Sequence, residues 1–294
     1  MDKSIAVSFI DLCIVTAVGV EFKIAASLLT AKSFSEESFT SSQNSPGNDE
    51  NSRDKTPSCP AFSEEPRMKI CRGLFGASRI TVLQSEMGAV GFAERLVKHL
   101  TDNRYDALIV VGLAGGLDPR LRVGDAVLYD LCYDARALDF KRRERAIPEE
   151  IASIAGDQRL SAYLLEALTS SGHPSARVSV QAPGMTVSRI ITEAEEKLSL
   201  RINYGAAAVD METYEVFAAC ARFGLPAAAL RVISDEAGHN IPDFNRAYDA
   251  DGRMRGWRMV TTMIARPIIT FRLLLSIRRA LQSLRVNLQA AMSA

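Results

Sequence analysis

Short apolar runs, each ending near a glycine or a carboxylate and each followed by a helical pattern, constrain this chain more than any other feature. LCIVTA, ALIVV, AVLY, AAAVD and AAALRVISD are runs of this kind. A short run with no polar alternation has no solvent face, so it fits a strand covered on both sides. Between these runs, VGVEFKIAASLL, GFAERLVKHL, Leu160 to Ser170, ITEAEEKLSLRINYG and Thr213 to Phe223 read as helices. Thr192 followed by Glu195 has the capping-box pattern. Gly224 and Pro226 stop the Thr213–Phe223 helix. The alternation predicts an α/β fold with a parallel or mixed sheet flanked by helices on both faces. GLAGG reads as a glycine-rich loop after a strand from about Ala107 to Val111, and ARVSVQAPGMTV as a strand broken at Pro183–Gly184.

Composition narrows the class. With 294 residues, 47% of them hydrophobic, the chain can bury a large core as one α/β domain or two small ones. Formal net charge is zero, so nothing points to a nucleic-acid partner. The five cysteines are scattered, which reads as a reduced, cytoplasmic protein. None of the three histidines has zinc-site spacing, and no metal or cofactor is expected. Asp11 interrupts the first apolar run, which fits a buried strand better than a leader, and no run reaches the roughly 20 residues of a membrane span.

Two segments depart from the pattern. Ala31 to Pro66 is rich in Ser, Asn, Asp, Glu and Pro, the composition of a flexible surface insertion. The principal domain is expected over residues 1–265, followed at 266–294 by a basic, apolar C-terminal helix. From Arg253 onward there are eight arginines and no acidic residue. Such a helix lies on an anionic membrane surface, here the inner face, or packs on the sheet with its arginines in water.

In open α/β sheets, ligands sit beyond the carboxyl ends of the strands. Gly19 to Glu21, Ser85 to Gly88, Gly112 to Gly116 and Ser234–Asp235 fall at such ends. GLAGG has neither the Walker A lysine nor the GxGxxG spacing, so alone it says only that something passes close to the backbone. Glu212 opens a helix after one strand and Asp235 closes the next. Each alone is half explained as a helix-dipole partner, whereas together with Glu21 and the glycine loop they make a site. Asp210 and Glu215 read as a strand-end charge and a solvated helix face. Glu86 is as well explained by the surface as by catalysis.

TAVGVEF, QSEMG, GLAGGLDPRLRVGDAV, VDMETYEVFAACARFGLP and LRVISDEAG together resemble the signatures of the nucleoside phosphorylase and nucleosidase superfamily. The resemblance implies a three-layer phosphorylase/hydrolase-like fold with a central mixed β-sheet, a purine nucleoside substrate and a homo-oligomer. It also implies roles. Glu212 would hold the ribose hydroxyls, with Met211 against the sugar. Asp235, beside Ser234, would protonate N7 of the purine. Arg189, Ile190 and Ile191 would hold the base partly through backbone. Met87, Gly88, Gly112, Leu113, Ala114 and Gly115 would line the pocket, and Glu21 would hold the attacking water. Cleaving C1′–N9 leaves positive charge on the sugar and negative charge on the base. A carboxylic acid at Asp235, its pKa raised by burial or a like charge, answers the latter. A carboxylate at Glu212 answers the former.

Inorganic phosphate would be a co-substrate if the cleavage were phosphorolytic. The Gly-Asp-Pro-x-Arg motif of many family phosphorylases is absent, and Val18–Gly19–Val20–Glu21 stands in its place. An anionic Glu21 repels phosphate, so charge favours water, although Arg79 would serve phosphate if its strand end faced the pocket. Leu113 stands where the methylthioadenosine and adenosylhomocysteine nucleosidases carry a small hydroxyl residue. GLAGGLDP and the basic tail resemble the hopanoid-associated phosphorylase-like branch, which implies release of adenine from a lipid nucleoside such as adenosylhopane. A non-catalytic nucleoside-binding module is the alternative of another class.

Overall fold

The computed structural model describes residues 10–38, 67–84, 91–138, 150–170, 177–247, 261 and 263–293. Ten strands form one sheet. They are β1 (Asp11–Thr16), β2 (Thr30–Ser38), β3 (Arg67–Phe75), β4 (Ser78–Gln84), β5 (Ala107–Gly116), β6 (Asp125–Asp134), β7 (Ser153–Ala155), β8 (Arg177–Thr186), β9 (Ala208–Asp210) and β10 (Ala227–Asp235). The helices are α1 (Gly19–Ser27), α2 (Phe92–Asp102), α3 (Gln158–Ser170), α4 (Ala194–Tyr204), α5 (Thr213–Ala221) and α6 (Pro267–Ser293), with a 3₁₀ turn at Phe244–Ala247.

β5 is the hub. It pairs with β1 and β10 in parallel and with β9 antiparallel. From β10 the pairing continues through β6 and β8 back to β9, so five strands close on themselves. On the other side β1, β4, β3 and β2 extend as a wing. The sheet is mixed and covered on both faces, as the unalternating apolar runs predict. Leu12 and Ile14 of β1 face a core shared with Phe22, Leu164, Leu284 and Leu288 of α1, α3 and α6. Cys13 and Val15 face Leu96 of α2 and Phe217 of α5 on the other side. These are the three layers.

Several expectations change. Gly112 to Gly116 is not a loop but the second half of β5, because pairing with β10 continues from Val111, opposite Leu230, as far as Gly115, opposite Asp235. Pro183–Gly184 does not break β8; the strand runs through it with a register shift against β6. A Cβ at Gly184 would sit 2.0 Å from the Tyr129 ring, so only glycine lets the strand pass. The polar insertion begins later than its composition indicates, since residues through Ser38 pair with β3; its remainder, 39–66, lies outside the described residues. Thr192 does not cap α4. The N-cap is Glu193, without a side-chain cap bond, and Ala194 N–H donates instead to Asn240 Oδ1 at 2.7 Å.

α6 packs on the sheet through Ala280, Leu284, Leu288 and Ala291, with Ser283 Oγ donating to Gly124 O at 2.6 Å. Its arginines at 272, 278, 279 and 285 are exposed. No helix among the described residues is long and apolar enough to cross a membrane.

Candidate active site

Three buried carboxylates, Glu21, Asp210 and Glu212, gather about one arginine at the end of the sheet where β1, β5 and β10 finish and β9 gives way to α5, and a fourth, Asp235, ends β10 nearby. Glu21 lies in the first turn of α1, just beyond β1, and is 3% exposed. Its Oε2 accepts the N–H groups of Ala17 (3.0 Å) and Val18 (3.1 Å), closing the helix start on itself. Its Oε1 accepts the N–H of Leu113 on β5 at 2.7 Å. Burial pushes the Glu21 carboxyl upward, and neither these bonds nor the nearby Arg231 brings it back to the ordinary value. A carboxylate so held is a stronger base than a solvated one.

Arg231, on β10, is the residue that sequence reasoning missed. It is 1% exposed and sits among the carboxylates. Nε lies 3.0 Å from Asp210 Oδ2, Nη2 lies 3.5 Å from Glu212 Oε2, and both donate to Thr213 Oγ1. Burial works against its charge, yet Asp210 and Glu212, with smaller help from Tyr129 and Glu21, raise its pKa. Its third nitrogen, Nη1, is buried without a hydrogen-bond partner. Arg231 is in register with Gly112. A Cβ at position 112 would lie 2.7 Å from Nη1 and 2.8 Å from Glu21 Oε1. A side chain at position 112 would clash with both, so only glycine lets this unspent donor and this strong acceptor come so close to the β5 backbone. The visible signal was an arginine inside an otherwise apolar strand pattern, which burial rules make costly without carboxylates around it.

Asp210 does end β9, but it is buried and does more than a strand-end charge. Its Oδ1 accepts the N–H groups of Glu212 and Thr213 (both 3.1 Å) and the hydroxyl of Thr186 (2.8 Å), while Oδ2 accepts from Thr213 and pairs with Arg231. It thus starts α5, supplying what an N-cap normally supplies, and fixes Glu212 at the helix entrance. Glu215 is likewise not a free helix-face charge, since it pairs with Arg136, whose guanidinium also lies 5.4 Å from the Tyr214 ring centroid.

Asp235 ends β10 on the other flank of β5. Ser234 Oγ lies 2.7 Å from its Oδ1 and 3.1 Å from Ala114 O. Its Oδ2 forms an ion pair with Lys197 of α4, which is fully buried. The expected like-charge neighbour is absent among the described contacts; a cation stands there instead. Gly115 leaves room beside Asp235, for its Cβ would lie 3.5 Å from Oδ2.

The other expected residues fall as follows. Met211 and Ile191 join Met185, Val187 and Val209 in a small apolar cluster next to the carboxylates. Ile190 is held through its backbone by Asn245, which accepts from its N–H (2.9 Å) and donates to its carbonyl (2.8 Å). Arg189 pairs with Glu196. Leu113 and Ala114 lie on β5 between Glu21 and Asp235, where their backbone serves those two side chains. Met87, Gly88 and Glu86 lie outside the described residues. Arg79 starts β4 at the opposite end of the sheet and pairs with Asp11, so it does not reach this site.

The family model described as Phosphorylase superfamily matches residues 44–267. The chain belongs to this family. It is an enzyme of N-glycosidic bond cleavage. A 5'-methylthioadenosine/S-adenosylhomocysteine nucleosidase from Marinomonas sp. is 29% identical over 178 residues, 60% of this chain and 76% of the relative. Among solved structures, the 5'-methylthioadenosine/S-adenosylhomocysteine nucleosidase of Neisseria meningitidis superposes with a TM-score of 0.62 at 16% identity, covering 96% of this chain and 98% of the other. The futalosine hydrolase of Helicobacter pylori superposes at 0.59 and 18% identity, covering 95% and 97%. These two share the fold.

Proposed function

We propose that the site releases the base of a purine nucleoside by hydrolysis, the substrate being an adenosine altered at the 5′ carbon. The observation that carries this reading is the buried, unpartnered Arg231 Nη1, which stands with Glu21 Oε1 against the backbone of Gly112. A water bridging these two groups, clear of the Gly112 backbone, would donate to Glu21, accept from Arg231 and be placed to attack C1′. Phosphate suits the place less well. Asp210, Glu212 and Glu21 outnumber the single guanidinium, which is already shared between two of them, so little positive charge is left for a polyanion. Glu212, anchored by the same arginine, would take the ribose hydroxyls and face the positive charge that develops on the sugar. Met211 and its apolar neighbours would pack against the sugar, and Asp235 would give the departing purine its proton. The curated relative named for 5'-methylthioadenosine and S-adenosylhomocysteine supports a 5′-altered adenosine.

The test is base release from a panel of 5′-substituted adenosines, with and without phosphate. Free ribose product without phosphate is expected. Release only with phosphate, yielding a ribose 1-phosphate, would overturn the hydrolytic reading. Binding with no release at all would make the protein a nucleoside-binding module.

Peripheral contact with an anionic membrane belongs to the same proposal. Ile264, just before α6, and Ile268, Phe271 and Leu275 follow a helical spacing and are all exposed, with Arg272 and Arg279 beside them. The outward positions of the second half of α6, Gln282, Arg285 and Gln289, are polar. An apolar ridge flanked by arginines complements an anionic lipid surface. Co-sedimentation with anionic vesicles, lost in an Ile268→Ser/Phe271→Ser variant, is expected; equal binding by the variant would remove the idea. A homo-oligomer is expected as well, and sedimentation velocity checks it.

A further inference from the structure

The pairing of Asp235 with Lys197 has a consequence for the leaving group. Lys197 is 0% exposed, an uncommon place for an ammonium. It donates to Asp235 Oδ2 and to the carbonyls of Glu236 and His239, both at 3.1 Å. Three acceptors surround the three donors of an ammonium group. Asp235 Oδ1 depends on Ser234, whose one hydroxyl hydrogen has two acceptors in reach, Asp235 Oδ1 and Ala114 O. When the hydroxyl turns to Ala114 O, Oδ1 is released toward the base. Oδ2 stays on the lysine until it takes the lysine's proton.

We infer that Lys197 is the positioning residue of the acid arm and the source of the proton that Asp235 passes to the purine. This rests on the hydrolytic reading above. In the step, the C1′–N9 bond breaks and its electron pair goes to the purine. A proton moves from Lys197 Nζ to Asp235 Oδ2. The carboxyl group, now neutral and free of its ion pair, turns about Cβ–Cγ to bring that oxygen to the base, and the same proton passes on to the purine ring. Water forms the new bond to C1′ and gives its proton to Glu21. Lys197 and Glu21 both end neutral, so the buried charge of the site is unchanged through the step. Exchange of one proton with solvent at each residue restores the starting state. The alternative is that Lys197 only ties α4 to the 236–239 turn.

The two differ in dependence on the leaving group. A Lys197→Met variant should release adenine at least 10²-fold more slowly than wild type, the range of general acid catalysis. The same variant should release 4-nitrophenolate from 4-nitrophenyl β-D-riboside, a leaving group that needs no proton, within about threefold of wild type. Equal losses on both substrates would assign Lys197 a purely structural role and overturn the inference, as would unchanged adenine release. Lys197→Met leaves Asp235 buried without its counter-charge, so the Lys197→Met/Asp235→Asn variant, neutral at both positions, is measured beside it. The single variants and the double variant should release adenine at similar rates, because the two residues act as one unit; multiplicative losses would also overturn the inference, even if the riboside proves a poor substrate. If wild-type enzyme releases no base from any purine nucleoside, the hydrolytic reading fails first and independently of Lys197.

Discussion

Two carboxylates flank β5, and they are kept in opposite ways. Glu21 is held by three backbone N–H groups, two from its own helix start and one from Leu113. Asp235 is held by side chains, the ammonium of Lys197 and the hydroxyl of Ser234. Backbone donors bring no mobile proton, so Glu21 has acceptor capacity to spare and burial strengthens it as a base. Side-chain donors can turn or give up a proton, so Asp235 sits in a chain through which one can travel. On the proposed reading, the same residue class would do base work on one side of a strand and acid work on the other, according to what was buried with it.

The comparison can be broken first at its base arm. Glu21→Gln should lower kcat by about 10⁴-fold, the upper range for a lost general base, with nucleoside affinity largely kept; a steady-state assay and equilibrium dialysis decide this. The pH profile sharpens the point. As the proposed base, Glu21 would act in its ionised form, so activity should fall as pH drops through its raised value, above the ordinary 4.5. The sign for stability is the reverse. A carboxyl whose folded pKa is raised contributes stability fully below 4.5 and loses that contribution as pH rises through the folded value. Thermal melts of wild type and Glu21→Gln across that window should therefore diverge in favour of the variant as pH rises.

At the acid arm, Asp235→Asn should cost about 10³-fold in turnover, and activity equal to wild type would remove its role. Between the arms, Arg231→Met should destabilise the fold by about 3–5 kcal/mol, because it strands Asp210 and Glu212 without a counter-charge; chemical denaturation measures it. The smallest expected effect is at the sugar. Glu212→Gln should slow ribosides about 10-fold more than 2′-deoxyribosides, and an unchanged preference would take the ribose away from Glu212.

Much of this was legible beforehand because the apolar runs and their stops are local signals. β1, β6 and β10, and the helices from Leu160 and Thr213, stand close to where hydrophobic pattern and breakers put them. Glu21, Glu212 and Asp235 were legible because each is a charge at the end of an apolar run. Pairing across the sheet was not local. GLAGG looks like a loop until β10 lies against it, and Pro183–Gly184 looks like a break until the Tyr129 ring occupies the space of a side chain. Arg231 and Lys197 were passed over for the same reason. A cation in a strand or on a helix reads as solvated unless its carboxylate partner, 38 positions away in the case of Lys197 and Asp235, is known to fold onto it.

Asp210 starts α5, fixes Glu212 and neutralises Arg231, which lies 21 positions later. On the ribosome, this carboxylate emerges before the arginine that balances it. The wing of β1, β3 and β4 can pair early from residues already made. The α5 entrance cannot settle until β10 has left the exit tunnel and threaded between β5 and β6. The candidate site is then among the last parts of the nascent chain to form, and a chain stalled before Arg231 would leave Asp210 without its counter-charge and the α5 entrance unsettled.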